Sequence, residues 1–168
     1  DALMYMGEFS KLIRQTLNNS SKQSVSLEDE IHYLETYIKL ENLRLNGRVT
    51  YKLNTDKNID LNEIMVPPML IQPFVENVFL HAFDKDTINP TLTINFSNNQ
   101  NLLICEIIDN GKGMNSEVLN NSKNSKGIIL VKERISLLQK QTADPISIDT
   151  IPSKGTTITL NLKLNNYD

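Results

Sequence analysis

The chain has 168 residues and 39% hydrophobic content, enough for one core, or one domain with an extra helical segment. A formal net charge of −3 gives no general attraction to nucleic acid or anionic lipid, and a lone cysteine, Cys105, excludes an internal disulfide and fits a reducing compartment. No apolar run is long enough to span a membrane, no signal peptide is present, and the opening Asp1-Ala-Leu falls inside a helical pattern, as expected of a piece of a longer protein.

Leu3, Met6, Phe9, Ile13 and Leu17 recur with helical period, and Asn18-Asn-Ser-Ser21 breaks the pattern. Ser26 reads as the N-cap of a second helix, with Asp29 three residues on as a weak capping box. Glu28, Asp29 and Glu30 suit the positive end of that helix, and Leu27, Ile31, Leu34, Ile38 and Leu45 line one face. Val49 to Leu53 alternates as a strand, and Asn54 to Asn62 is polar and turn-like.

The run from Val66 to Phe83 reads as a buried helix, since Met69, Leu70, Phe74, Val75, Val78, Phe79 and Ala82 recur at helical spacing. Pro67 and Pro68 are helix starters, while Pro73 ends a short first turn near Gln72 and starts the main helix afresh. Glu76, Asn77 and His81 interrupt this apolar surface, and Asn77 and His81 share a face one turn apart. Such a helix either satisfies core hydrogen bonds or builds a site.

Asp84 to Pro90 is a loop, Thr91 to Phe96 alternates, and Asn98-Asn-Gln-Asn101 turns into the strand Leu102–Ile108. Cys105 sits among apolar neighbours there and reads as an inert buried thiol. The strand runs into Asp109-Asn-Gly-Lys-Gly-Met114. Taken alone, Asp-Asn-Gly is also a common turn. Residues 115–126 are rich in Asn, Ser and Lys, a candidate lid or a plain surface loop. Ser125-Lys-Gly127 opens an amphipathic helix built on Ile128, Leu130, Val131, Ile135 and Leu138, and its first N–H groups suit a phosphate. Ile146-Ser-Ile148 and Thr157 to Leu164 pair around Pro152-Ser-Lys-Gly155 as a terminal hairpin. The pattern predicts an α/β (α+β) fold: a two-layer sandwich of a mixed sheet covered by helices, with an N-terminal helical segment.

A helix with Glu-Asn, a strand with Asp-x-Gly-x-Gly, a Gly-led helix and a Gly-Thr strand, in that order, resemble the Bergerat (GHKL) ATP-binding fold. The wording Gln72-Pro-x-x-Glu-Asn-x-x-x-His81 resembles the LytS/YesM-type sensor histidine kinases, and Tyr37-Ile-x-Leu-Glu41-x-x-Arg44 fits the segment that joins their dimerisation helices to the catalytic core. The resemblance implies a division into residues 1–24, a remnant of the dimerisation and phosphotransfer region, and 25–168, the ATP-binding catalytic domain. It implies ATP and Mg²⁺ as cofactors, Asn77 as metal holder, and Asp109 as acceptor for the adenine amine. Gly111 and Gly113 then allow close backbone approach, Lys126 and Gly127 lie near the phosphates, Gly155 and Thr156 close the purine pocket, and Arg134 matches a family arginine. His81 is a candidate phosphate donor. Glu76 is a candidate for orienting or deprotonating the attacking group, or for a capping or second-layer metal role.

The implied activity is a protein histidine kinase that moves the ATP γ-phosphoryl group to a histidine, from which it is relayed to a response regulator. The family's phosphorylated histidine is followed by phenylalanine and asparagine; His32, between Ile31 and Tyr33, does not match and reads as structural or surface. The expectation is a fragment without its own phosphoacceptor, homodimeric in the full protein, and the cytoplasmic portion of a bacterial membrane sensor anchored through segments missing here. Ser125, Leu130 and Leu80 stand where the family usually has glycine, asparagine and lysine, which motivates an alternative: a degenerate nucleotide-binding module that regulates a partner by docking.

Overall fold

The computed structural model describes residues 2–99, 101–115, 117, 120, 126–139 and 144–164. The chain forms two compact units, Asp1–Val49 with Asp60–Gln72, and Thr50–Ile59 with Pro73–Asp168.

The first unit is two helices and a short ribbon. Helix α1 spans Ala2–Ser20 and α2 spans Leu27–Arg44; strand β1 (Val25–Ser26) pairs antiparallel with β3 (Met65–Val66). Ser26 caps α2 as its sequence predicts, its hydroxyl accepting from the Asp29 N–H at 3.1 Å. Ser26→Ala should lower stability by about 1 kcal/mol, read as a shift of the urea midpoint at unchanged slope. Leu27, Leu34, Ile38 and Leu40 are buried along α2. On α1 only Leu12 and Asn19 are buried among the described side chains, and Leu3, Met6, Phe9, Ile13 and Leu17 stand exposed.

The expected helix from Val66 is not formed at its start. Residues 67–71 are non-helical, and Met69 takes φ +56°. The physical reason is Glu30. It is fully buried, and its carboxylate accepts from the Met69 N–H at 2.9 Å and the Ile71 N–H at 3.3 Å. Glu30 therefore fastens a distant turn rather than serving only the end of its own helix. Tyr33 Oη, one turn on, donates to Gln72 Oε1 at 3.0 Å, where helix α3 (Gln72–Asn77) begins. Pro73 sits in its first turn, where a missing N–H costs nothing.

The second unit carries a five-stranded mixed sheet in the order β2-β4-β5-β7-β6. Its strands are β2 (Thr50–Thr55), β4 (Thr91–Asn99), β5 (Leu102–Asp109), β6 (Ile146–Ile151) and β7 (Gly155–Lys163). Only β2 and β4 pair in parallel. The burial pattern of β4, β5 and β7 alternates, so one face is the core face. Register places Phe96, Cys105, Leu160 and Ile146 in one cross-strand row, and Ile94, Ile107, Ile158 and Ile148 in the next. The row after that is Leu92, Asp109, Thr156 and Thr150. The core face thus turns polar at one end. Helix α4 (Lys126–Gln139) lies on β7, with Ile128, Val131 and Ile135 buried.

Among the described residues no helix is long and apolar enough to cross a membrane.

Candidate nucleotide site

The polar end of the sheet opens into a cleft of about 710 Å³ within the second unit. Asn77, His81, Asp109, Gly113 and Thr156 line it together with Phe74, Met114, Ile148 and Ile158. Residues from two helices, Ile128 on the second, and from three strands or their ends therefore meet around one space.

The helix wall is unusual. Directly after Asn77 the α-helix widens into a π-helical turn, Val78–Ala82. Such turns put one extra residue into a helix and occur often at functional sites. Val78 and Phe79 are buried, while Asn77 and His81 stay exposed toward the cleft. Glu76 is exposed and does not line it.

The π-helical turn is fastened to the Asp109 loop. The Lys112 N–H donates to the Ala82 carbonyl at 3.0 Å. Gly111 lies so close that any Cβ there would collide with that carbonyl. Gly113 has φ +63°, and a Cβ on it would strike the Ile151 carbonyl. Both glycines thus let the loop press between the helix wall and the β6–β7 hairpin. The hairpin answers with Ser153 N–H donating to the Lys112 carbonyl at 2.7 Å, and Thr150 Oγ1 accepting from Met114 N–H at 2.9 Å. Asn110 ties the loop to β4: its Oδ1 accepts from Thr91 N–H at 2.7 Å, and its Nδ2 donates to the Asn89 carbonyl at 2.9 Å.

Asp109 is 7% exposed. Burial pushes its carboxyl above the ordinary aspartate value, and hydrogen bonds from the Gly111 and Thr156 backbone N–H groups pull it partly back. The Gly111 N–H reaches Oδ1 at 2.8 Å, closing the Asx turn. A buried carboxylate at the wall of an open cleft is a strong acceptor for a ligand N–H.

Gly127 is exposed with open space around it, and the cleft is reached from its helix by Ile128 instead. The Lys126 side chain, Ser125 and most of the candidate lid lie outside the described residues. Sequence reasoning missed Met114, Ile148 and Ile158, which give the cleft an apolar wall. Strand register places Ile148 opposite Ile158, and the loop after Asp109 brings Met114 beside them. Among the described residues no three His, Cys, Asp or Glu side chains form a group able to hold a metal ion. Asn77 offers a neutral amide oxygen to the cleft, which suits Mg²⁺ when water and phosphate supply the other ligands.

A histidine kinase family model matches residues 1–49. The sensor protein LytS of Oceanobacillus iheyensis is 29% identical over 112 residues, 67% of this chain and 19% of LytS. The sensor protein kinase HptS of Staphylococcus aureus is 28% identical over 113 residues, 67% of this chain and 21% of HptS. The chain thus spans about a fifth of the length of the curated relatives it matches. The histidine kinase domain of the blue-light activated kinase EL346 from Erythrobacter litoralis superposes with a TM-score of 0.64 at 15% identity, covering 95% of this chain and 79% of that one. The catalytic domain of histidine kinase ThkA gives 0.58 at 12% identity, covering 84% and 95%. The fold is that of histidine kinase catalytic domains, an α+β fold with N-terminal helices. The resemblance to LytS-type sensor histidine kinases, read first from the motifs, holds in both sequence and fold.

Proposed function

We propose that the cleft binds Mg-ATP and that the chain is the ATP-binding catalytic part of a sensor histidine kinase. The observation that carries this is the meeting of Asn77 and Asp109 on one cleft, with Gly113 of the glycine-rich loop and Thr156 of the Gly-Thr strand. Asp109 accepts the purine amine, the apolar wall takes the ring, and Asn77 holds the metal beside the phosphates. His81 donates toward phosphate, and Lys126 and Gly127 approach it from the helix that follows the lid. Bound Mg²⁺ supplies charge neutralisation for phosphoryl transfer. Glu76 orients the attacking group only if it turns toward the cleft from its exposed position.

In this reading the γ-phosphoryl group passes to a histidine outside these 168 residues and then to a response regulator. Residues 1–24 belong to the helical region through which two copies pair, a role supported by the exposed stripe of Leu3, Met6, Ile13 and Leu17. Membrane anchoring, as a sensor with this part in the cytoplasm, would be a property of the whole protein.

Calorimetry with Mg-ATP and a non-hydrolysable analogue tests the reading. Binding in the micromolar to submillimolar range is expected, weakened at least about tenfold by Asn77→Ala, with no label retained by the chain after incubation with γ-labelled ATP. Silence at millimolar nucleotide overturns it. That silence would favour the alternative, a degenerate module that regulates a partner by docking. Its supporting observation is that Leu80 and Leu130 are 52% and 64% exposed, apolar surface available to a partner.

A further inference from the structure

The last row of the sheet poses a proton-counting problem. Thr150 Oγ1 has three neighbours: Met114 N–H at 2.9 Å, the Gly155 carbonyl at 3.2 Å and Thr156 Oγ1 at 3.1 Å. A hydroxyl has one proton and two lone pairs. The Met114 N–H only donates, so it takes one lone pair. The Gly155 carbonyl only accepts, so it takes the proton. Thr156 must then give its own proton to the remaining lone pair. Thr150 is saturated, and Thr156 is left with lone pairs alone.

Thr156 lines the cleft and Thr150 does not. Beside Thr156, in the same row, Asp109 is likewise an acceptor when ionised, and its backbone partners include the Thr156 N–H itself. The cleft end of this row therefore offers two adjacent acceptors and no side-chain donor. A ligand edge that brings N–H groups is matched. A 6-oxo edge brings a carbonyl oxygen beside one N–H, so it can satisfy one acceptor and sets its oxygen, unpaired, against the lone pairs of the other.

The geometry points to Thr150 as a specificity-determining residue: by holding the Thr156 proton away from the cleft, it makes the site select a 6-amino purine over a 6-oxo purine. Thr150 never touches the ligand. It is a positioning residue that acts on the direction of one hydroxyl. The inference rests on the nucleotide reading of the cleft and deepens it.

Mg-ATP and Mg-ITP present the two edges, an amine beside a bare ring nitrogen and a carbonyl beside a ring N–H, and calorimetry on the 168-residue chain gives both affinities. The unaltered protein should prefer ATP by at least tenfold. In Thr150→Val the Thr156 hydroxyl is released to turn toward the cleft and donate, so the ATP-to-ITP ratio should fall about tenfold, with most of the change a gain for ITP. Thr150→Ser keeps the hydroxyl and should restore the ratio. A purely structural role would weaken both nucleotides by one factor and leave the ratio intact, and that result overturns the inference, as does a serine variant that behaves like valine. If Thr150→Val does not fold, Thr156→Val decides: ATP should weaken severalfold while ITP does not weaken, and equal affinities to the unaltered protein overturn the inference. A failure to bind either nucleotide in the unaltered protein is a different result, and it removes the nucleotide reading together with this one.

Discussion

Asp109→Asn should weaken Mg-ATP binding by about ten- to a hundredfold, because a hydrogen bond to a charged acceptor contributes about 1.5–3 kcal/mol. The change keeps the shape of the side chain and one oxygen for the Gly111 N–H. It replaces the other acceptor with a donor. The same substitution should leave the ligand-free protein no less stable at pH 7. Burial is the largest influence on this carboxyl and it opposes the charge. The sign follows from linkage. A carboxyl whose folded value is raised stabilises the fold most when protonated, below its unfolded value. That contribution is lost as pH rises through the raised folded value. Nucleotide binding runs the other way, since it needs the ionised form, and should fall as pH drops through a value above 3.8, the ordinary aspartate value. Titrations from pH 7 downward, paired with thermal melts of both proteins, separate the two effects. A melt markedly lower for Asp109→Asn would show that the ionised carboxylate supports the fold.

Gly155→Ala should be the most destabilising single change in the second unit. Gly155 has φ +108°, outside the range that side chains tolerate. A Cβ there would also collide with the Asp109 backbone carbonyl, so β5 and β7 would have to separate where the site is built. Strain and collision together should cost about 3 kcal/mol or more, lowering Tm by roughly 6–12 °C. A melt within 2 °C of the unaltered protein (about 1 kcal/mol or less) would contradict the close approach. Nucleotide affinity should fall with it, since Thr156 and Asp109 both shift.

The strands were readable because their alternation is a local property. Thr91 to Phe96 and Leu102 to Ile108 carry the apolar–polar period that the sheet then uses. Asp109, Gly111 and Gly113 were readable as a motif with a turn chemistry of its own. The stretch from Val66 to Gln72 was not, because its conformation is dictated by a carboxylate about forty positions earlier in the chain. No local pattern reports that Glu30 is buried, and its place among Glu28 and Asp29 argues for a solvated helix end. The π-helical turn was also invisible, since a five-residue widening leaves the apolar spacing of Val78, Phe79 and Ala82 unchanged. Thr150 was missed for a third reason. Its importance lies in register, the pairing of Thr150 with Thr156 and of Thr156 with Asp109, and sequence alone does not state which residues stand opposite each other.

The two units are interleaved along the chain, which leaves the first after Val49, returns at Asp60 and departs again after Gln72. Neither unit can therefore be transplanted as one uninterrupted stretch. A chimera joined near residue 49 would carry α1 and α2 away from the ribbon strand β3 and from the turn that Glu30 fastens. An exchange of upstream helices between such proteins has to include residues 60–72 as a second insert, or leave a buried carboxylate without its amides.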